Sequence, residues 1–270
     1  MKRFYLSALY MLLGIALPIF SQEINSGPRI TALGNTGVAL QDVWSLQSNQ
    51  SGLSALKHPA ASISYQNNYL NPELSTQSAV IAYPLHGGNV IGLSFHNYGF
   101  SAYSEQKIGI SYARRFGSTI SAAINFNLHQ VKISQYGSAR AYTAEAGLQY
   151  FVSENLIIGT HITNPGRSGF DTEVNAIIPV CLEFGASYKV TDKVLLNSGI
   201  SKTLNSVTDI KCGLEYSAVN WLAFRGGMSA NPFRQFAGFG CQLYDLKLDA
   251  AASSHPYLGF SPQIALSYEF

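Results

Sequence analysis

The chain has 270 residues, of which 12% are charged and 12% aromatic, with 17 Lys and Arg against 15 Asp and Glu. So sparse and balanced a charge set excludes a basic field for nucleic acid, and no charge run marks a tail. Beyond the first 21 residues no segment approaches eighteen continuous apolar residues, which excludes membrane-spanning helices.

Residues 1–21 read as an export signal. Lys2 and Arg3 form the basic start, Leu6 to Ile19 the apolar stretch, and Ser21 a small residue suited to cleavage before Gln22. Removing this leader leaves 15 basic residues against 15 acidic ones. An exported chain this poor in charge, without spanning helices, most economically buries its apolar side chains in lipid as strands.

Residues 22–58 form a separate N-terminal element. They lack hairpin spacing, are rich in small residues suited to close backbone approach, and carry a short helix candidate from Asp42 to Leu46.

From Pro59 onward apolar and polar residues alternate in fourteen runs, near 59–69, 76–84, 89–98, 105–115, 118–132, 139–151, 155–163, 177–189, 193–203, 207–217, 220–230, 235–243, 246–254 and 261–270. Most have the roughly 9–11 residues that a tilted membrane strand needs, and the even total suits a bacterial single-chain barrel. Twelve strands result if weak runs such as 59–69 or 246–254 are misread. One phrase recurs: Gly147-Leu148-Gln149-Tyr150, Gly185-Ala186-Ser187-Tyr188 and Gly213-Leu214-Glu215-Tyr216 each end a run, and Gly109-Ile110-Ser111-Tyr112 starts a fourth copy. With the aromatic last residue Phe270, the pattern predicts an all-β fold, a transmembrane antiparallel β-barrel over 59–270. Such a barrel belongs to the outer membrane of a Gram-negative bacterium.

Turns fall into two classes. Those at 115–118, 152–154, 190–192 and 218–219 are tight and belong on the periplasmic side, flanked by Phe116, Tyr150, Phe151, Tyr188, Tyr216 and Trp221 as an aromatic girdle; residues 164–176 form a longer, outer loop.

Strand parity sorts the side chains. Ile120, Ile124, Phe126 and Leu128 share the lipid face, and Ser121, Asn125, Asn127 and His129 the lumen face. The same rule points Glu145, Glu183, Lys211, Glu215, Arg225, Lys247 and Asp249 inward, charges of both signs. Mutual pairing across a narrow interior is the favoured reading, a substrate path the alternative. No single-sign constriction argues for an ion-selective pore.

Chemistry is absent from the pattern. The six histidines are scattered, with His96, His129 and His161 candidates for the lumen, and no nucleophile or metal motif accompanies them. Cys181, Cys212 and Cys241 lie inside separate strand runs as packing residues, though a single disulfide stays open. The expectation is no enzyme, no cofactor and no metal.

The stretch Arg29 to Leu40, followed by Asp42 and by Ser48-Asn49-Gln50-Ser51-Gly52-Leu53, resembles the opening of the FadL-like outer-membrane proteins, nearest their PorV/PorQ branch associated with type IX secretion. Where that family carries paired acidic residues and an Asn-Pro-Ala core, this chain has Asp42 and Asn49-Gln50-Ser51. The resemblance implies a fourteen-stranded barrel with residues 22–58 tucked into it as a plug, built on Gly34, Gly37, Asp42, Asn49 and Gly52.

By resemblance, the first functional expectation is an accessory barrel of type IX secretion, holding exported cargo or organising the surface-attachment machinery. Its partners would meet outer-loop residues such as Tyr98, Phe100, Tyr103, Arg167 and Phe170. The alternatives are a FadL-like conduit for a hydrophobic small molecule and a non-transporting structural barrel. Membrane lipid is a partner under all three, and nucleic acid under none.

Overall fold

The computed structural model describes residues 27–71, 73–170 and 177–270. The export signal expected at 1–21 lies outside the described residues. Alternating side chains demand two different environments on the two faces of each strand, and the chain meets that demand by closing a single sheet on itself. The strands are β1 (Ala60–Asn67), β2 (Ser75–Leu85), β3 (Asn89–Gly99), β4 (Tyr103–Phe116), β5 (Ile120–Ile133), β6 (Gly137–Phe151) and β7 (Leu156–Thr163). They continue with β8 (Cys181–Thr191), β9 (Val194–Thr203), β10 (Asp209–Val219), β11 (Leu222–Ala230), β12 (Phe233–Leu243), β13 (Leu246–His255) and β14 (Gly259–Glu269).

All fourteen pair antiparallel with their sequence neighbours, and β1 pairs with β14 to close the barrel. The seam is held by Ser62 against Ser267, whose hydroxyls lie 2.7 Å apart, and by the Phe270 amide donating to the Pro59 carbonyl at 2.8 Å. Closure leaves no strand edge unpaired, which a sheet in lipid requires because no water is there to satisfy it.

Strand parity holds around the wall. Ile63, Leu93, Ile110, Phe126, Phe184 and Phe224 stand exposed on the outside, while Ser111, Ser121, Asn125, Gln149 and Asn197 are buried inside. Both ends of the barrel sequence lie at one rim, where Phe116, Tyr150, Tyr188, Tyr216 and Trp221 form an outward aromatic girdle, whereas Phe151, one residue on from Tyr150, takes the inward position and lies 4.2 Å from the Arg115 guanidinium. That is the periplasmic rim.

The turns differ from the expected division. Several of those at the outer end are also short, with three residues at 100–102, 134–136 and 256–258 and two at 231–232, while 68–74 and above all 164–180 are longer. The 99–104 segment is a tight hairpin rather than a loop, with Phe100 and Tyr103 exchanging backbone hydrogen bonds of 2.7 and 3.2 Å. All three cysteines are free thiols, so the open question of a disulfide is answered in the negative.

The largest hydrophobic core is not in the wall. It belongs to residues 28–55, which lie inside the barrel as helix α1 (Pro28–Ala32) and three 3-10 turns, Gly37–Ala39, Val43–Gln47 and Gln50–Ala55. Ile30, Leu33, Trp44, Leu46 and Leu53 are each at most 2% exposed and pack against small wall residues such as Ala82, Val90 and Ala113.

Candidate functional site: a plugged lumen

The plug is built from local rules. Pro28 starts α1 at a position where its missing N–H costs nothing. The helix stops at Gly34, whose φ of 73° suits a residue without a β-carbon, and the Gly34 and Asn35 amides close the end on Thr31 and Ile30 carbonyls, both at 3.0 Å. Asp42 caps the second 3-10 turn by accepting from the Trp44 amide at 2.9 Å, while the Ser45 hydroxyl accepts from the Asp42 amide at 3.3 Å. Asn49 begins the third turn by accepting from the amide and hydroxyl of Ser51 at 3.2 and 2.7 Å.

The sequence-predicted motif residues divide by what they touch. Gly37 and Gly52 serve packing within the plug: a β-carbon at Gly52 would overlap the Leu40 carbonyl, and one at Gly37 the Ser48 hydroxyl. Gly34 and Asn49 meet the wall. A β-carbon on Gly34 would lie 2.7 Å from the Cys212 carbonyl oxygen. The Asn49 amide nitrogen lies 2.6 Å from the Val38 carbonyl within the plug, and 3.2 and 3.3 Å from the wall carbonyls of Leu148 and Thr160.

Where the plug passes, the wall thins to glycine. A β-carbon on Gly147 would overlap Asn49, one on Gly159 or Gly185 would overlap Val38, and one on Gly213 or Gly227 would overlap Leu33 and Gly34. Gly159 faces Gly185 in register, Gly185 faces Gly199, and Gly213 faces Gly227, so the seat runs across β7 to β9 and again across β10 and β11, with Gly199 facing Lys211 between them. This accounts for the repeated Gly-x-x-Tyr phrase. At a spacing of three, the glycine faces inward to the plug and the tyrosine outward to the girdle. Gly109 is the exception, since its inward space is taken by Ser94 and Asn127 of the wall.

The inward charges gather into two clusters, one at each side of the plug. In the first, Arg225 donates to Glu215 and to Asp249, both at 2.6 Å, and Lys247 lies 3.6 Å from Asp249. Arg29 of the plug completes it with two bonds to Glu215 at 2.9 Å each and one to Asp42 at 3.0 Å. Burial works against the charge of Arg29, yet the carboxylates of Glu215 and Asp42 outweigh it and raise its pKa above the ordinary arginine value. In the second, Glu145 accepts from Lys107 at 2.7 Å, Gln50 of the plug at 2.8 Å, Asn127 at 2.9 Å and Asn125 at 3.1 Å. His161 sits between Glu145 and Glu183 at 3.4 and 3.7 Å, and Lys211 lies 3.7 Å from Glu183.

All seven sequence-predicted lumen charges therefore enter these clusters. Parity arguments singled out neither Arg29 nor Lys107, and the carboxamides Gln50, Asn125 and Asn127 carried no charge to draw attention. His96 and His129, inward as expected, bond to wall hydroxyls, Ser78 at 3.0 Å and Thr143 at 2.8 Å. Among the described residues no group of three or more His, Cys, Asp or Glu is placed to hold a metal ion.

The outer-loop candidates separate. Tyr98 lies on an inward position of β3 opposite Glu105, and Tyr103 donates a hydrogen bond to Glu105, so both line the outer mouth. Phe100 is exposed on its hairpin, and Arg167 and Phe170 lie in the long 164–180 segment.

No protein-family model matches the chain, and no curated protein matches it. Solved structures do match. A TodX monoaromatic hydrocarbon channel lacking S2 and S3 superposes with a TM-score of 0.75 at 12% identity, over 90% of this chain and 99% of the other. The Pseudomonas putida toluene transporter TodX gives 0.68 at 11% identity, over 92% and 97%. A Pseudomonas aeruginosa FadL homologue gives 0.66 at 12% identity, over 90% and 98%. The PorV/PorQ branch does not figure in these likenesses. A closed wall, an outward apolar face, rim aromatics and a filled lumen together make this an outer-membrane β-barrel with the fold of the FadL-type channels.

Proposed function

We propose that this protein is an outer-membrane conduit for a small hydrophobic molecule, with the N-terminal plug as the element that any path must negotiate. The observation that carries the reading is the fold: nine-tenths of the chain follows proteins described as monoaromatic hydrocarbon channels. The plug adds to it. Its contacts to the wall combine apolar packing on small wall residues with hydrogen bonds and ion pairs, which can exchange partners. Above the plug, inward groups such as Ser78, His96, His129 and Thr143 are already paired with one another.

The test is uptake of a labelled monoaromatic such as toluene by cells that lack channels of their own and express this barrel. Uptake several-fold above cells carrying an empty vector is expected. Uptake equal to the empty vector, with the barrel folded in the outer membrane, overturns the conduit. The secretion-accessory reading is carried by the motif at 29–53 alone. It predicts that type IX components or exported cargo remain bound to the barrel in mild detergent, and recovery of the barrel alone counts against it.

A further inference from the structure

The barrel wall is uneven in height. Strands β4, β5 and β6 have 14, 14 and 15 residues, whereas the other eleven have 8–11. At β6 the extra length lies at the outer end, where residues 137–144 run past the end of β7, because Glu145 already pairs with Thr163 and Phe151 with Ile157; on the other flank β4 ends nearly level with β3, Ser104 facing Gly99. On this extension the outward residues change character at one level. Ile108, Phe126, Leu128 and Tyr142 are apolar or aromatic, and the next outward positions are Gln106, Gln130, Lys132 and Arg140. From Tyr150 in the periplasmic girdle to Tyr142 the strand runs eight residues, about 26 Å at roughly 3.3 Å each. With the strands tilted by about 40° this is about 20 Å of height, so Tyr142 stands in the upper part of a band about 25 Å tall, and Arg140, two residues further, reaches its outer edge with Lys132 nearby, at the depth of lipid headgroups.

Beneath these cations the lipid face is hollow. A groove of about 510 Å³ is lined by Ile108, Phe126, Leu128, Tyr142 and Ala144, with Ser168 of the long outer segment at its side. Ala144 supplies the floor, because it stands beside Phe126 in register and carries only a methyl group. Arg140 is held over the groove by its bond to Gln130 at 3.1 Å. Among the described residues no acidic side chain lies within ion-pair distance of Arg140 or Lys132, and both are exposed.

We propose that the outer face of β4 to β6 is a binding site for a phosphorylated, multiply acylated glycolipid of the outer leaflet. One acyl chain lies in the groove over Ala144, and a sugar phosphate lies against Lys132 and Arg140. The distance from Ala144 to Arg140 along β6, about 13 Å at roughly 3.3 Å per residue, matches the reach from a headgroup phosphate down to the first part of an acyl chain. Charge complementarity selects this occupant over a second barrel, whose own rim would bring like charges together.

The experiment is native mass spectrometry of the full barrel released from micelles containing diphosphorylated lipid A, lipid A with its phosphates removed, or phosphatidylglycerol. Diphosphorylated lipid A is expected to be retained in preference to both others. Each surface cation near an anionic headgroup contributes roughly a factor of five, so the double variant K132Q/R140Q should retain it at least about tenfold less. Lys193→Gln, an exposed charge at the periplasmic end, should leave retention unchanged. Equal retention of the dephosphorylated lipid or of phosphatidylglycerol overturns the proposal, as does a double variant that binds like the parent. The outcome is independent of uptake, since the site lies outside the lumen.

Discussion

The plug and the wall place the same kinds of residue in opposite positions. In the wall, Ile110, Phe126 and Phe184 face outward and the buried interior is Ser, Asn and Gln; in the plug, Ile30, Leu33, Trp44 and Leu53 are buried and hold the molecule's main apolar core. The wall has lipid as its solvent and gains by turning apolar side chains outward. The plug has no lipid to meet and folds by the rules of a small water-soluble domain, using caps and buried apolar groups. A barrel with a largely polar interior thus accommodates an apolar core on a patch of small apolar wall residues, with glycines, carboxamides and ion pairs making the rest of the interface.

The comparison is broken most severely by removing one of its partners. Deleting residues 27–58 takes out five large buried side chains, each contributing about 1.5–3 kcal/mol, and opens the lumen. We expect the remaining barrel to give a large, steady ion conductance in planar bilayers where the intact protein gives little. A barrel that stays closed without these residues would show that the wall seals itself.

Next in size is the ionic latch. Arg29→Met leaves Glu215 and Asp42 short of a buried cation and is expected to cost about 3–5 kcal/mol, read by urea unfolding of the micelle-bound protein. A loss below about 1 kcal/mol, the value of an exposed pair, would mean that water replaces the guanidinium. Asn49→Ala removes a side chain that bonds both to the plug and to two wall carbonyls, for an expected loss of about 1–3 kcal/mol by the same measurement.

The glycine seat offers the sharpest comparison, because two adjacent glycines on β11 face opposite ways. Gly227→Ala would press on Gly34 and Leu33 of the plug and is expected to cost about 1–3 kcal/mol. A β-carbon at Gly226 meets nothing nearer than the Phe236 carbonyl at 3.9 Å, so Gly226→Ala should shift stability by no more than about 0.5 kcal/mol. Equal effects in the pair would remove the seat from the account.

Much of the wall was legible in the chain. The run predicted at 118–132 is β5 at Ile120–Ile133, the one at 193–203 is β9 at Val194–Thr203, and even the weak runs at 59–69 and 246–254 are strands, which settles fourteen over twelve. The turn lengths were less legible, because a short polar link does not say at which rim it lies. The repeated Gly-x-x-Tyr was visible, but its reason was not, since a glycine's purpose is the neighbour that needs the room. Arg29 stood inside a recognisable motif while its partner Glu215 lay 186 residues away. No local spacing joins them.

The sequence by itself determined the architecture and the side chosen by each wall residue, because lipid on one face and polar interior on the other impose a period of two that can be read residue by residue. Only the tertiary structure decided height and company: which inward glycine meets which plug residue, which charge pairs with which, and that β6 runs past the end of β7 to carry Arg140, with Lys132 of β5 nearby, to the outer edge of the apolar band. Those relations depend on the stagger of fourteen strands around a closed ring and on where an aperiodic segment comes to rest inside it. Period two says which way a side chain points; barrel closure sets what it finds there.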